Sequence, residues 1–235
     1  LGGAEQGTLL AVQELRQRIA AAAAVSGRTG DAVTLVAASK TRTAAEVEAA
    51  LAAGVDQIGE NYVQEALAKR PEVVAPAVWR LIGPLQRNKA GHALRCFDRV
   101  DTVDSLALGE ALSRRWESAE TPSEPLGVLI EVHLGGESSK TGVEPADAPS
   151  LLEKLQLLPG LQCLGLMTMP PPLPAEEVRG YFAQLRELGQ DLRVRSGLTL
   201  PVLSMGMSAD FEVAVAEGAT MVRLGTVLFG PRGPR

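Results

Sequence analysis

The chain has 235 residues, 46% hydrophobic and 22% charged, with a formal net charge of −5. Such a composition excludes a disordered chain, and a chain this long buries roughly 70% of its unfolded surface without a disulfide or metal staple. The acidic balance argues against a nucleic-acid groove. The two cysteines, Cys96 and Cys163, cannot form a disulfide framework, which points to a reducing, cytoplasmic compartment.

Two kinds of segment alternate along the chain. Val12, Leu15, Ile19 and Ala22 recur at helical spacing and predict an amphipathic N-terminal helix. Eight short β-branched or apolar runs follow, at 33–38, 55–59, 78–83, 99–103, 127–133, 161–168, 200–205 and 220–225. Helical segments are predicted between them at 43–53, 65–70, 86–95, 105–117, 146–158, 175–195 and 208–217. Several strand runs are apolar throughout, as parallel strands covered on both faces are. Strand and helix repeated in this way predict an α/β chain folded as a single (β/α)8 TIM barrel domain over 1–235, with the extra N-terminal helix covering the bottom. An open doubly wound sheet is the alternative. It lacks support from an opening Gly-x-Gly-x-x-Gly turn.

No charged segment followed by an apolar one marks a secretory signal. The stretch 155–175 has no charged residue, but Pro159, Gly160 and Pro170–Pro172 interrupt it. It reads as a helix end, a strand and a loop, not as a membrane span.

In a barrel, chemistry belongs at the carboxyl ends of the strands. Lys40 closes the first strand run and is one of five lysines. An amine at a barrel mouth is partly desolvated, which favours its neutral, nucleophilic form and suits a Schiff base. A strand-end lysine can equally serve as the ion partner of a carboxylate such as Glu60. At the ends of the seventh and eighth strands, Ser204, Gly206, Gly225 and Thr226 offer hydroxyls and accessible N–H groups to a phosphate. Ser208 reads as the N-cap of the next helix. A lysine that traps an aldehyde beside a phosphate cup is the logic of pyridoxal phosphate. Arg223 would face the pyridine nitrogen, or else be an ion-paired arginine of the barrel core. The segment 136–142, with Lys140, reads as a mouth lid, as a second aldehyde or phosphate site, or as a solvated loop. His92 and His133 form no metal-ligand pattern with the cysteines.

These residues resemble the pyridoxal phosphate homeostasis proteins, single-domain relatives of the alanine racemase barrel. The resemblance spans about residues 33–230. It is carried by Val-Ala-Ala-Ser-Lys-Thr ending at Thr41, Gly-Glu-Asn-Tyr from Gly59 and Ile-Gly-Pro-Leu-Gln-Arg-Asn-Lys ending at Lys89. It continues in Gly-Glu-Ser-Ser-Lys-Thr-Gly from Gly136, Leu-Met-Thr-Met from Leu166, Ser-Met-Gly-Met-Ser from Ser204 and Val-Arg-Leu-Gly-Thr ending at Thr226. The resemblance implies that Lys40 carries pyridoxal 5'-phosphate as an internal aldimine and that Arg223 faces the ring nitrogen. It implies that Ser204, Gly225 and Thr226 hold the phosphate, with the backbone of Met205, Gly206 and Met207 nearby, and that Asn61 and Met167 flank the ring. It also implies buffering and delivery of the cofactor, with pyridoxal-phosphate-dependent apoenzymes as recipients and no substantial turnover. The chain departs from the family pattern at Arg42-Thr43, where Lys-Pro is frequent, and at His133-Leu134-Gly135, where Asn-x-Ser is usual.

A weak amino-acid racemase is the alternative. In the larger relatives the second base is a tyrosine of a partner subunit's second domain. The chain ends soon after the eighth strand and has only Tyr62 and Tyr181, so a carrier, monomeric and bound to neither membrane nor nucleic acid, is the expectation.

Overall fold

The computed structural model describes residues 3–118, 124–135 and 141–231. Eight parallel strands close a barrel in chain order, with β1 paired to β8. They are β1 Thr34–Ala38, β2 Gln57–Glu60, β3 Val78–Leu81, β4 Arg99–Val103, β5 Leu126–Glu131, β6 Leu161–Met167, β7 Val202–Ser204 and β8 Met221–Leu224. The helices are α1 Gly3–Val25, α2 Ala44–Ala52, α3 Val63–Lys69, α4 Ala90–Cys96, α5 Leu106–Glu117, α6 Ala148–Leu155, α7 Arg179–Ser196, α8 Phe211–Ala216 and α9 Thr226–Phe229. The predicted barrel is thus the observed one, with strand ends displaced by at most two residues.

The strands divide their side chains between two cores. Leu35, Ile58, Leu81, Val128, Leu166 and Val222 join the helices in the outer apolar cluster. Alternate positions, among them Val36, Arg80, Asp101, Glu131 and Arg223, are buried outside that cluster. The strand period of two turns them into the barrel. There Arg80 grips Asp101 through two hydrogen bonds of 2.8 and 2.7 Å. Gly165 sits at φ +150°, and a Cβ there would lie 1.9 Å from the Val202 carbonyl oxygen. Only glycine lets β6 approach β7 at that point.

The N-terminal helix does not cover the bottom of the barrel, as the sequence suggested. It packs along the outer wall against α8, α2 and α9. The reason is a gap in the helical ring: β8 is followed only by the single turn α9, and α1 occupies the place of a full eighth helix. Val12, Leu15 and Ile19 are its buried face. Arg18 ties it to Glu212 of α8 by paired 3.0 Å bonds, and Arg16 reaches the Gly54 carbonyl at 2.8 Å.

Local signals explain several helix starts. Thr43 and Glu46 form a capping box at α2, and the Ser105 hydroxyl accepts from the Leu108 N–H at α5. The helix expected from Ser208 begins later, at Phe211. Residues 208–210 are a turn, and Ser208 Oγ instead accepts from the Val227 N–H at 3.4 Å. Among the described residues, no helix is long and apolar enough to cross a membrane.

Candidate cofactor site

Lys40 stands two residues beyond β1, in a turn fixed on both sides. Before it, Ser39 is buried, with its N–H on the Gly59 carbonyl at 2.9 Å. After it, Thr41 adopts φ +66° while its N–H donates to Glu65 Oε2 at 2.9 Å. A left-handed non-glycine residue is costly and is held only where neighbours impose it. Here the imposed turn orients Lys40 toward the mouth, where it lines a cavity of about 330 Å³. That volume falls at the lower end of ligand pockets, roughly 300–1,000 Å³.

Glu60 is not the partner of Lys40. Its carboxylate is buried behind β2, where Oε1 accepts from Lys69 Nζ and, at 2.7 Å, from the Ser39 hydroxyl. Lys69 Nζ also donates to the Ser39 carbonyl at 2.8 Å. Burial pushes the Glu60 carboxyl above its ordinary value, with Lys69 pulling the other way. Among the described residues, Lys40 has no ion-pair partner.

Arg223 enters the same cavity from β8 and, among the described residues, is not ion-paired with a core carboxylate; Asp101 is occupied by Arg80. Its Nη1 donates to the Ser204 carbonyl at 2.9 Å and to Ser204 Oγ at 2.6 Å, and its Nη2 to the Thr168 carbonyl at 2.9 Å. Burial lowers its pKa from the ordinary value, while Asp101, Glu131 and Asp210 favour the cation. A guanidinium in a protein stays charged, so these bonds fix the direction of a permanent donor.

Between the ends of β7 and β8 the backbone forms an open cup. Gly206 has φ +96°, and a Cβ there would lie 2.6 Å from the Ala214 Cβ. The Met207 N–H is taken by Asp210 Oδ1 at 2.6 Å. The N–H groups of Ser208, Ala209, Gly225 and Thr226 take no acceptor among the described residues. All four of these residues line the cavity. Free N–H groups grouped in this way suit a phosphate.

Of the ten residues named from the sequence, Lys40, Asn61, Met207, Arg223, Gly225 and Thr226 come together around this cavity. Ser204, Met167, Met205 and Gly206 do not line it. Ser204 is fully buried and its hydroxyl oxygen accepts from Arg223, so Ser208 faces the cup in its stead. Met167 is fully buried, and Met205 belongs to the outer apolar cluster. Met169 and Ile82 supply the apolar walls. The strand period could have singled out Met169, two residues beyond Met167. Arg42 also lines the cavity, bridging Glu46 and the Gly230 carbonyl at 3.2 and 2.7 Å. Of the mouth segment read at 136–142, residues 136–140, with Lys140, lie outside the described residues. Among those described, no cluster of three or more metal-ligating side chains occurs. A wider open groove of about 1320 Å³ runs between the β3–α4 loop and α5. It holds no lysine opposed to a cup of free N–H groups.

An amine without a partner, a fixed guanidinium and a cup of free N–H groups fit the aldehyde, ring nitrogen and phosphate of pyridoxal phosphate in kind and number. Comparison with known proteins agrees with this chemistry. Residues 11–233 match the alanine racemase N-terminal domain. The chain is 44% identical over 223 residues to the pyridoxal phosphate homeostasis protein of Pseudomonas aeruginosa, covering 94% of each. It is 39% identical over 229 residues to that of Escherichia coli, covering 93% of this chain and 94% of the relative. The structure of PipY from Synechococcus elongatus with pyridoxal phosphate bound superposes with a TM-score of 0.77 at 41% identity, over 85% of this chain and 93% of that one. Alanine racemase from Corynebacterium glutamicum shares the fold, with a TM-score of 0.62 at 20% identity, over 94% of this chain and 60% of that one. The chain belongs to the pyridoxal phosphate homeostasis proteins, within the family of alanine racemase N-terminal domains.

Proposed function

We propose that the chain binds pyridoxal 5'-phosphate at the barrel mouth as a Schiff base with Lys40, and that it buffers and delivers the cofactor without substantial turnover. The observation that carries the reading is the meeting of Lys40, unpaired among the described residues, a fixed Arg223 and the free N–H groups of Ser208, Ala209, Gly225 and Thr226 around one cavity. Lys40 supplies the nucleophilic amine. Gly225 and Thr226 offer backbone donors to the phosphate. Asn61 and Met169 flank the ring space. Bound pyridoxal phosphate would supply an electrophilic carbon and an electron sink. Arg223, a guanidinium too weakly acidic to give up a proton, would leave the ring nitrogen unprotonated and the sink weak.

The carrier reading is favoured over a racemase by the positions of the tyrosines. Tyr62 is 54% exposed at the start of α3, and Tyr181 packs on the outer core from α7. Neither lines the Lys40 cavity, so the described residues bring no tyrosine to act as a second base.

The test is the visible spectrum of the purified protein with added pyridoxal phosphate, then borohydride reduction and peptide mapping. A yellow protein with the reduced adduct on Lys40 is expected. A protein that stays colourless, or an adduct on another lysine, overturns the assignment. Amino-acid racemisation that survives Tyr62→Phe but vanishes in Lys40→Ala would replace the carrier by a one-base enzyme.

A further inference from the structure

A second cavity of about 390 Å³ opens beside the first, at the carboxyl end of β5. Its polar wall is Glu131, His133 and Thr141, and its apolar wall includes Met169, Pro170 and Pro172. Met169 also lines the Lys40 cavity, so the two cavities share that side chain.

The polar wall is unusual in what it leaves unmatched. Glu131 is 3% exposed, and its Oε1 accepts from the Thr141 hydroxyl at 2.8 Å. Among the described residues it has no ion-pair partner. His133 is 7% exposed, and among the described residues its Nε2 has no hydrogen-bond partner. Burying a carboxyl without a counter-ion and an imidazole nitrogen without a hydrogen-bond partner costs free energy, which a complementary ligand would return.

We propose that this cavity binds a small amino alcohol. Its ammonium would lie against Glu131, its hydroxyl would serve His133, and its two or three carbons would lie on Met169 and the prolines. The choice follows from charge. An ammonium is the missing counter-ion of Glu131. A ligand carrying a carboxylate as well would bring a second anion into a small, largely apolar space beside a buried carboxyl, where like charges repel strongly. A hydroxyl satisfies the imidazole without that penalty.

The measurement is an imidazole-region NMR titration of the cofactor-free Lys40→Ala protein, in which no imine can form. The chain has two histidines, His92 and His133, and His92→Gln assigns the signals. Ethanolamine is the probe, with glycine and propylamine as comparators. Ethanolamine should move the His133 signal saturably and leave His92 unchanged. Glycine should bind about tenfold more weakly or worse, the cost of one unfavourable charge contact. Glu131→Gln should weaken ethanolamine by a similar factor. Thr141→Val, at an exposed position, should weaken it less and stands in if Glu131→Gln does not fold. A His133 signal that stays fixed to tens of millimolar ethanolamine overturns the site. Glycine binding as well as ethanolamine overturns the ligand class. Because Lys40 is absent from the titrated protein, these outcomes are independent of whether Lys40 traps pyridoxal phosphate.

Discussion

The two faces of the barrel wall at the ends of β1 and β2 hold lysines in opposite settings. On the inner face, Lys40 lines a cavity with no carboxylate against it. On the outer face, Lys69 is 9% exposed and is committed to Glu60 and to the Ser39 carbonyl. Both touch the same short segment, since Ser39 precedes Lys40 and is held by the Lys69 pair. The difference teaches that residue type alone does not decide a lysine's role. The paired amine is a strut for the backbone, and the unpaired one is left for chemistry. The strut works because removing either partner strands a buried charge.

Lys69→Met should therefore have the largest effect on stability. It leaves Glu60 buried with only the Ser39 hydroxyl, at a cost of about 3–5 kcal/mol. In urea denaturation the midpoint should fall, with a Tm loss of roughly 10 °C for a chain of this size. The Glu60 carboxyl already lies above its ordinary value through burial. A folded value above the unfolded one means that stability from this group is present at low pH and lost as pH rises through the folded value. The variant's deficit should accordingly shrink on acidification. A midpoint unchanged at neutral pH would show that Lys69 is no strut. Ser204→Ala comes next. It removes the 2.6 Å acceptor of a fully buried guanidinium, for about 1–3 kcal/mol. It should also weaken pyridoxal phosphate binding by loosening Arg223. A change in stability with unaltered cofactor affinity would confine Ser204 to a packing role.

The contrast between the faces also marks what the sequence could tell. Lys40, Arg223 and the two glycine-bearing loops were legible because each lies in or just after a strand whose apolar pattern is local. Barrel closure was legible because strand and helix alternate at regular spacing. The partner of Glu60 was not, since Lys69 is nine residues away and meets it only through the rise of α3. Ser204 was read as a phosphate ligand from its place at a strand end. Its inward direction and the bond to Arg223 depend on the β7–β8 register, Ser204 against Met221, which no local pattern reveals. Ser208 carried an N-cap signature, yet the backbone continues as a turn to Asp210, whose carboxylate takes the Met207 N–H instead. The place of α1 followed from the shortness of α9, a helix too brief to leave a periodic signal.

A second buried carboxyl extends the comparison. Glu131, like Glu60, is buried and held above its ordinary value by burial, with Thr141 pulling the other way. Unlike Glu60 it has no lysine among the described residues. Its ionised form is thus a burden on the fold, relieved as the carboxyl takes up a proton. Glu131→Gln should raise stability at neutral pH by about 1 kcal/mol, the cost of an imperfectly matched buried polar group. The gain should vanish as pH falls to the ordinary carboxyl value of 4.5. Urea midpoints across that range measure it. A gain independent of pH would mean that the charge is not its source.

Lys40→Ala should have the smallest effect on the fold and so gives the sharpest form of the contrast. The side chain makes no ion pair among the described residues, and the turn that holds it is fixed through Ser39 and Thr41, whose bonds do not involve the Lys40 amine. A substitution away from packed or paired groups changes stability by about 0.5 kcal/mol or less. The cofactor-free variant should therefore unfold at the same urea concentration as cofactor-free wild type, while losing the borohydride-trapped adduct. Added pyridoxal phosphate should raise the wild-type midpoint and raise the variant's much less, since ligand that binds only the folded state stabilises it in proportion to affinity. Equal stabilisation of the two would show that the cup and Arg223 carry the affinity without Lys40. A large stability loss in the cofactor-free variant would instead make Lys40 a second strut, and the two faces of the wall would no longer differ.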